Sequence, residues 1–255
     1  MMDNPILSYT YNLFLKDFMV MERESAHEIY SSLEKVWPDA SSWYDFTHKR
    51  IVRFVEDTLS SRLNNTSIYL NAGSGGSEYN LPGTCYHLDI AENLINKFSI
   101  YYVSSIEKMP FEDKLFDCII CVGSVINYCS ALESIQELSR VLKTGGFLVL
   151  EFERSNTAEL WLNKEYGKKA TLQNYEYLNH THSLWLYAEK YIKELLRENG
   201  LSVIKQEHFH NLSAVVNRIT KNEELAGKFG RFDFLFLPVS HLMSHNMILL
   251  CRKVI

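Results

Sequence analysis

The run Ile68-Tyr69-Leu70-Asn71-Ala72-Gly73-Ser74-Gly75-Gly76, followed by His87-Leu88-Asp89-Ile90, constrains this chain more than any other stretch. It reads as an apolar strand, a glycine turn and a second strand that ends in an acid. Gly73 and Gly75 let the backbone approach a ligand with no Cβ in the way. A carboxylate at the tip of the second strand can accept two hydrogen bonds from a ribose diol. Together these features place a nucleotide-like cofactor across the carboxyl ends of parallel strands.

The spacing excludes a nicotinamide dinucleotide. That fingerprint needs a third Gly or Ala three residues after the second glycine, where helix and strand pack tightly. Glu78 occupies that position. Only eight residues, 76 to 83, separate Gly75 from the expected strand start at Thr84, and Pro82-Gly83 end any helix there. A parallel crossover takes about a dozen residues or more, so this connection holds at most one helical turn. Such a turn suits a cofactor with no phosphate to hold.

Five segments, in order, resemble the class I S-adenosylmethionine-dependent methyltransferases over roughly residues 66 to 153. Asn71-Ala72-Gly73-Ser74-Gly75 lies where the family has its acidic-x-Gly-x-Gly loop, and Asp89-Ile90 at the ribose-binding acid. Ser104-Ser105-Ile106-Glu107-Lys108-Met109-Pro110-Phe111 is similar to the segment that lines the adenine. Phe116 to Gly123 resembles the fourth strand, closing on Val122-Gly123, and Arg140 to Leu148 resembles the helix, turn and fifth strand. The resemblance implies S-adenosyl-L-methionine as cofactor. It implies Asn71, Ala72, Gly73, Ser74, Gly75, Asp89, Ile90, Ser105, Ile106, Val122 and Gly123 as its binding residues. Three positions depart from the pattern: Asn71 replaces the usual acid, Ser77 a usual glycine and Ser105 a common adenine-facing Asp. Asn71 can still accept a hydrogen bond from the cofactor's amino group, but without charge. A hydrogen bond to a charged group contributes about 1.5–3 kcal/mol, so reduced cofactor affinity is expected.

Composition agrees with a globular enzyme: 46% of the 255 residues are hydrophobic and 22% charged. The net charge of −5 argues against a nucleic-acid partner, which favours a basic surface. The N-terminal Met1-Met2-Asp3-Asn4-Pro5 has neither the basic region nor the apolar core of a secretory signal, so a cytoplasmic location is expected. No apolar run is long enough to span a bilayer. The five cysteines are expected as free thiols. Cys118 and Cys121 form a C-x-x-C inside an apolar strand, where they face opposite ways and act as buried structural residues.

Alternating strand and helix signals predict an α/β fold: a doubly wound, seven-stranded, mostly parallel sheet with an N-terminal helical cap and lid insertions. Residues 7 to 36 predict two cap helices, and Ile51, Phe54, Val55, Thr58 and Leu59 predict a third helix over 43–62. Strands are expected near 67–72, 84–89, 99–103, 116–122, 145–152, 201–209 and 245–252. Helices are expected at 91–97, 131–142 and 187–199. One domain is expected over 1–255: cap 1–63, cofactor-binding half 64–153, and substrate-side half 154–255. That last part carries aromatic-rich insertions at 154–186 and 210–244, which either close a lid over a small substrate or pack onto the core.

Methyl transfer to a hydroxyl requires a base to take its proton. Candidates stand at carboxyl ends of strands: Asn127, Tyr128, Glu153, His208 and His210, with His180 and His182 in the first insertion. His210 and Tyr128 are the leading catalytic candidates, because their strands flank the expected methyl position. The His-x-His pairs share a strand face, but no carboxylate cluster with hard-metal spacing accompanies them, and no metal is expected. The expected function is methylation of a small molecule at oxygen or nitrogen. A protein or peptide methyltransferase, and a non-catalytic binding module of the same fold, are the alternatives.

Overall fold

A computed structural model describes residues 26–37, 41–177 and 180–255. Most of residues 7–36, where two cap helices are expected, lies outside them; of that segment, 26–31 are helical.

The first long helix is α1 (Ser42–Leu59), whose N-cap Ser41 accepts a hydrogen bond from the Tyr44 amide. Its Ile51, Phe54, Val55, Thr58 and Leu59 recur at three and four residues and are buried. Five parallel strands follow: β1 (Ile68–Ala72), β2 (Thr84–Asp89), β3 (Tyr101–Val103), β4 (Phe116–Cys121) and β5 (Leu142–Glu153). Between them run α2 (Glu92–Ile95), a single turn where a longer helix was expected, and α3 (Ala131–Val141). β5 starts at Leu142, three residues before the expected start at 145, because Leu142 already pairs with Phe116 across a bulge. The β1–β2 connection contains no helix; it turns on a hydrogen bond from the Ser77 amide to the Ser74 carbonyl.

The second half begins with a hairpin, β6 (Ala170–Tyr177) and β7 (His180–Tyr187), which forms its own two-stranded sheet within the first insertion. Then come α4 (Glu189–Glu198) and β8 (Leu201–Phe209). The second insertion is helical: α5 (Asn211–Thr220), α6 (Glu223–Phe229), a 3-10 stretch at Gly230–Val239 and α7 (Ser240–Met243). The last strand is β9 (Asn246–Lys253).

The main sheet has seven strands in the order β3-β2-β1-β4-β5-β9-β8, with β9 antiparallel to both neighbours. Its central strands are covered on both faces, so successive side chains enter different cores. Ile119 and Cys121 of β4 face one cluster with Leu148 and Leu150. Cys118 and Ile120 face the other, with Ile51 and Phe54 of α1. The C-x-x-C is thus split between two cores, and all five cysteines are free thiols.

The strand order reverses between β1 and β4, and a crevice opens at the carboxyl ends of those two strands. Because β9 runs antiparallel, its amino end lies beside the carboxyl end of β5, with Asn246 in register with Glu153. Among the described residues no helix is long and apolar enough to cross a membrane.

Candidate active site

Two cavities meet in the crevice. The first, about 780 Å³ with the solvent at its mouth, is built from the loops after β1, β2, β3 and β4. Gly73 at φ +70° and Gly75 at φ +53° turn the chain at its edge. The Gly73 and Ser74 amides both donate to the Leu88 carbonyl, at 2.8 and 3.0 Å, which clamps the loop to β2. Asp89 ends β2 in a nest of backbone donors: Oδ2 accepts from the Gly75 amide at 2.7 Å and Oδ1 from the Ala91 amide at 3.0 Å. Burial raises its pKa, and these donors oppose that shift. Each oxygen retains a second lone pair. On the far wall, the Gly123 and Ser124 amides donate to Oε2 of buried Glu151, at 2.9 and 2.8 Å. Burial lifts Glu151 to about 7, against hydrogen bonds from Asn246 and Ser124.

Of the expected cofactor residues, Gly73, Ser74, Gly75, Asp89, Ile90, Ser105, Ile106, Val122 and Gly123 line this cavity. Asn71 and Ala72 do not. The Asn71 side chain is buried, and its amide donates to the Ser77 carbonyl at 2.9 Å and to Ser74 Oγ at 3.3 Å. It holds the glycine loop in shape; an amide can donate to that carbonyl, which an ionised acid cannot. Ser77 itself accepts from the Trp37 indole at 3.2 Å. Trp37, with Tyr30 and Val36, covers the cavity from the N-terminal side. These lid residues carry no motif that sequence reasoning could have recognised.

The second cavity, about 720 Å³, adjoins the first and shares Tyr30, Val36, Trp37, Gly123 and Tyr128 with it. Tyr30 and Tyr128 join hydroxyls at 3.0 Å across this boundary. The deeper wall holds an ionic chain. His245 Nε2 lies 3.1 Å from Glu153 Oε2, and its Nδ1 lies 3.5 Å from Glu159 Oε2. Burial alone would depress the His245 pKa, but Glu159, Glu153 and Glu223 outweigh it and raise it to about 9. Glu153 moves the other way: burial would raise it, and His245 holds it below the usual carboxylate value.

The candidate bases separate accordingly. Tyr128, Glu153 and His182 line the second cavity. Asn127 is consumed in structure, donating to the Glu153 and Trp185 carbonyls at 3.0 and 2.6 Å. His208 pairs with Glu189 at 3.1 Å. The side chain of His180 falls outside the described residues. His210 lines neither cavity: it is fully buried, stacked 3.7 Å behind Trp43 and hydrogen-bonded through Nε2 to Thr47 Oγ1 at 2.7 Å. A positive φ of 55° turns the chain after β8, so that its side chain points under α1 rather than into the crevice. The insertion aromatics divide too. Tyr175 lines the second cavity, whereas Trp161 and Tyr166 donate to the Leu242 carbonyl and tie the insertions together.

Residues 70–150 match a family model described as a methyltransferase domain. The chain is 29% identical over 135 residues to a ubiquinone/menaquinone biosynthesis C-methyltransferase of Laribacter hongkongensis, a match covering 48% of this chain and 53% of that protein. The chain therefore spans about half the length of that relative. A demethylmenaquinone methyltransferase of Protochlamydia amoebophila is 24% identical, over 56% of this chain and 69% of its own. Among solved structures, the geranyl diphosphate C-methyltransferase of Streptomyces coelicolor A3(2), in complex with S-adenosyl-L-homocysteine, superposes with a TM-score of 0.56 at 11% identity, covering 81% of this chain and 79% of its own. The [4+2]-cyclase SpnF superposes with a TM-score of 0.55 at 15% identity, covering 85% and 84%. The matched domain, the glycine loop, Asp89 and the strand order agree: residues 70–150 form a methyltransferase domain, and the chain has the fold of the class I S-adenosylmethionine-dependent methyltransferases.

Proposed function

We propose that this chain transfers the methyl group of S-adenosylmethionine to a small molecule seated in the second cavity. The observation that carries this reading is the continuity of two cavities through a wall shared by Tyr30, Trp37, Gly123 and Tyr128. A cofactor in the first cavity and an acceptor in the second would meet at that wall.

The first cavity fits the cofactor's chemistry. Asp89 keeps accepting lone pairs for a ribose diol, and Gly73 and Gly75 leave its floor without side chains. Ile106 and Ile90 supply apolar surface beside Ser105 for a purine. When bound, the cofactor supplies an already activated methyl group, so the protein's task is alignment and exclusion of water. Tyr30, Val36 and Trp37, with the insertion residues Glu159, Tyr175 and Glu223, line the second cavity on its outer sides. Such enclosure suits a small molecule better than a peptide, which needs an open groove.

Oxygen or nitrogen is the proposed acceptor atom, and a group on the wall would take the proton lost on methylation. Glu153, His182 and Tyr128 stand at the cavity wall for that role. The curated relatives are named C-methyltransferases, and a structural neighbour is a cyclase, so the fold does not choose the reaction. The test is mass spectrometry of reactions containing methyl-deuterated S-adenosylmethionine and separate pools of small amines, phenols and hydroquinones. A labelled product in the amine or phenol pool, with S-adenosylhomocysteine in equal amount, supports the reading. Label on ring carbon of the hydroquinones alone would replace oxygen or nitrogen by carbon. Tight cofactor binding with no turnover in any pool would favour a non-catalytic module.

A further inference from the structure

The second cavity is acidic and aromatic. Glu153, Glu159 and Glu223 bring three carboxyl groups to it. His245 bridges the first two, and His182 is the other imidazole on the wall. Among the described residues no ion pair engages Glu223, which is half-buried at the start of α6.

A second, independent feature points the same way. Asn246 is only 3% exposed and lines the cavity. Its Nδ2 donates to Glu151 Oε1 at 2.7 Å, which fixes the orientation of the amide. Its Oδ1 is then buried with no hydrogen-bond partner among the described residues. A buried acceptor without a donor is costly, on the order of 1–3 kcal/mol by mutational measure, and invites a ligand that brings one. Trp43, Tyr44 and Tyr175 line the same cavity. Trp43 is held rigidly, stacked at 3.7 Å and 6° on His210. Aromatic faces beside carboxylates attract cations.

Resting on the reading above, we propose that the second cavity takes a small molecule carrying a basic amine on an aromatic body, with the ammonium placed among Asn246 Oδ1, Glu159 and Glu223. An ammonium donates up to three hydrogen bonds and accepts none, the complement of this wall. A carboxylate would stand beside three carboxyl groups.

The test is calorimetric titration at pH 7 of protein already saturated with S-adenosylhomocysteine. The probes are benzylamine, 2-phenylethylamine and tryptamine, each against its neutral alcohol and its carboxylate analogue. At least one amine is expected to bind about tenfold or more tighter than its alcohol, a clear difference in binding free energy, with the carboxylates not binding. Glu223→Gln is expected to weaken that amine about tenfold and leave S-adenosylhomocysteine binding unchanged, since Glu223 does not line the first cavity. Alcohols binding as well as amines, no binding of any amine, or an unchanged amine affinity in Glu223→Gln would overturn the proposal. Failure of S-adenosylhomocysteine to bind, seen before any probe is added, would instead overturn the reading on which it rests.

Discussion

At Gly73 a Cβ would stand 2.4 Å from Val125 Cγ1, on a backbone at φ +70°. The left-handed conformation costs an L-residue about 1–2 kcal/mol, and the contact adds to it. The loops after β1 and β4 would have to part, and both form walls of the first cavity. Gly73→Ala is therefore expected to weaken S-adenosylhomocysteine binding by about tenfold or more, well beyond its effect on the melting temperature; calorimetry and a thermal melt together check this. His245 carries a pH dependence whose sign follows from its partners. Its folded pKa of about 9 lies above the ordinary 6.5. Its stabilising contribution is thus complete below pH 6.5 and lost as pH rises through 9. The melting-temperature gap between wild type and His245→Gln should be widest near pH 6 and should close toward about pH 10. A gap that grew with pH would contradict the assignment of His245 as the charged partner of Glu153 and Glu159.

At the scale of elements, Arg154 pins the end of β5 to the second insertion. It is 1% exposed, and its Nη2 meets Glu189 Oε2 of α4 at 3.0 Å and the His241 carbonyl at 2.7 Å. Its Nη1 donates to Ser244. Glu189 also receives Lys193 at 2.7 Å and His208 at 3.1 Å. Burial would raise the Glu189 pKa, but His208, Lys193 and Arg154 pull it down to about 2. Removing the carboxylate leaves a buried guanidinium with neutral partners only. Glu189→Gln is expected to cost about 3 kcal/mol, read as a lower urea midpoint with unchanged slope. A loss under about 0.5 kcal/mol, the scale of an exposed pair, would contradict the pinning role. The elements also explain the site residues that sequence reasoning missed. The search for bases took the carboxyl ends of strands, a sound rule for parallel strands. β9 is antiparallel, so His245 and Asn246 reach the crevice from an amino end. Glu159 and Glu223 arrive from turns of the insertions, where no periodic pattern marks them.

Over the whole molecule, the cofactor half was legible because its signals are local. An apolar strand, a glycine turn and an acid at the end of the next strand all lie within twenty-two residues, Ile68 to Asp89. Parallel strands buried on both faces also announce themselves by continuous apolar runs, as Cys118-Ile119-Ile120-Cys121 does. Asn71 shows where local reading stopped: its position matched the motif, but its side chain turns to Ser77 rather than to the cavity. The acceptor side was not legible, because α1, the hairpin, α6 and β9 bring its walls together from residues about two hundred apart. Only long-range packing reveals that Trp43, Glu159, Glu223 and His245 share one cavity.

Asp89 is the residue on which the cofactor site depends most. Calorimetric titration of S-adenosylhomocysteine into wild type and Asp89→Ala, with circular dichroism confirming that both are folded, tests it directly. Micromolar binding to wild type is expected, with a loss of about thirtyfold or more in Asp89→Ala, the equivalent of charge-assisted hydrogen bonds of about 2 kcal/mol or more. Equal affinity in the two proteins, or no binding to wild type at millimolar ligand, would contradict it.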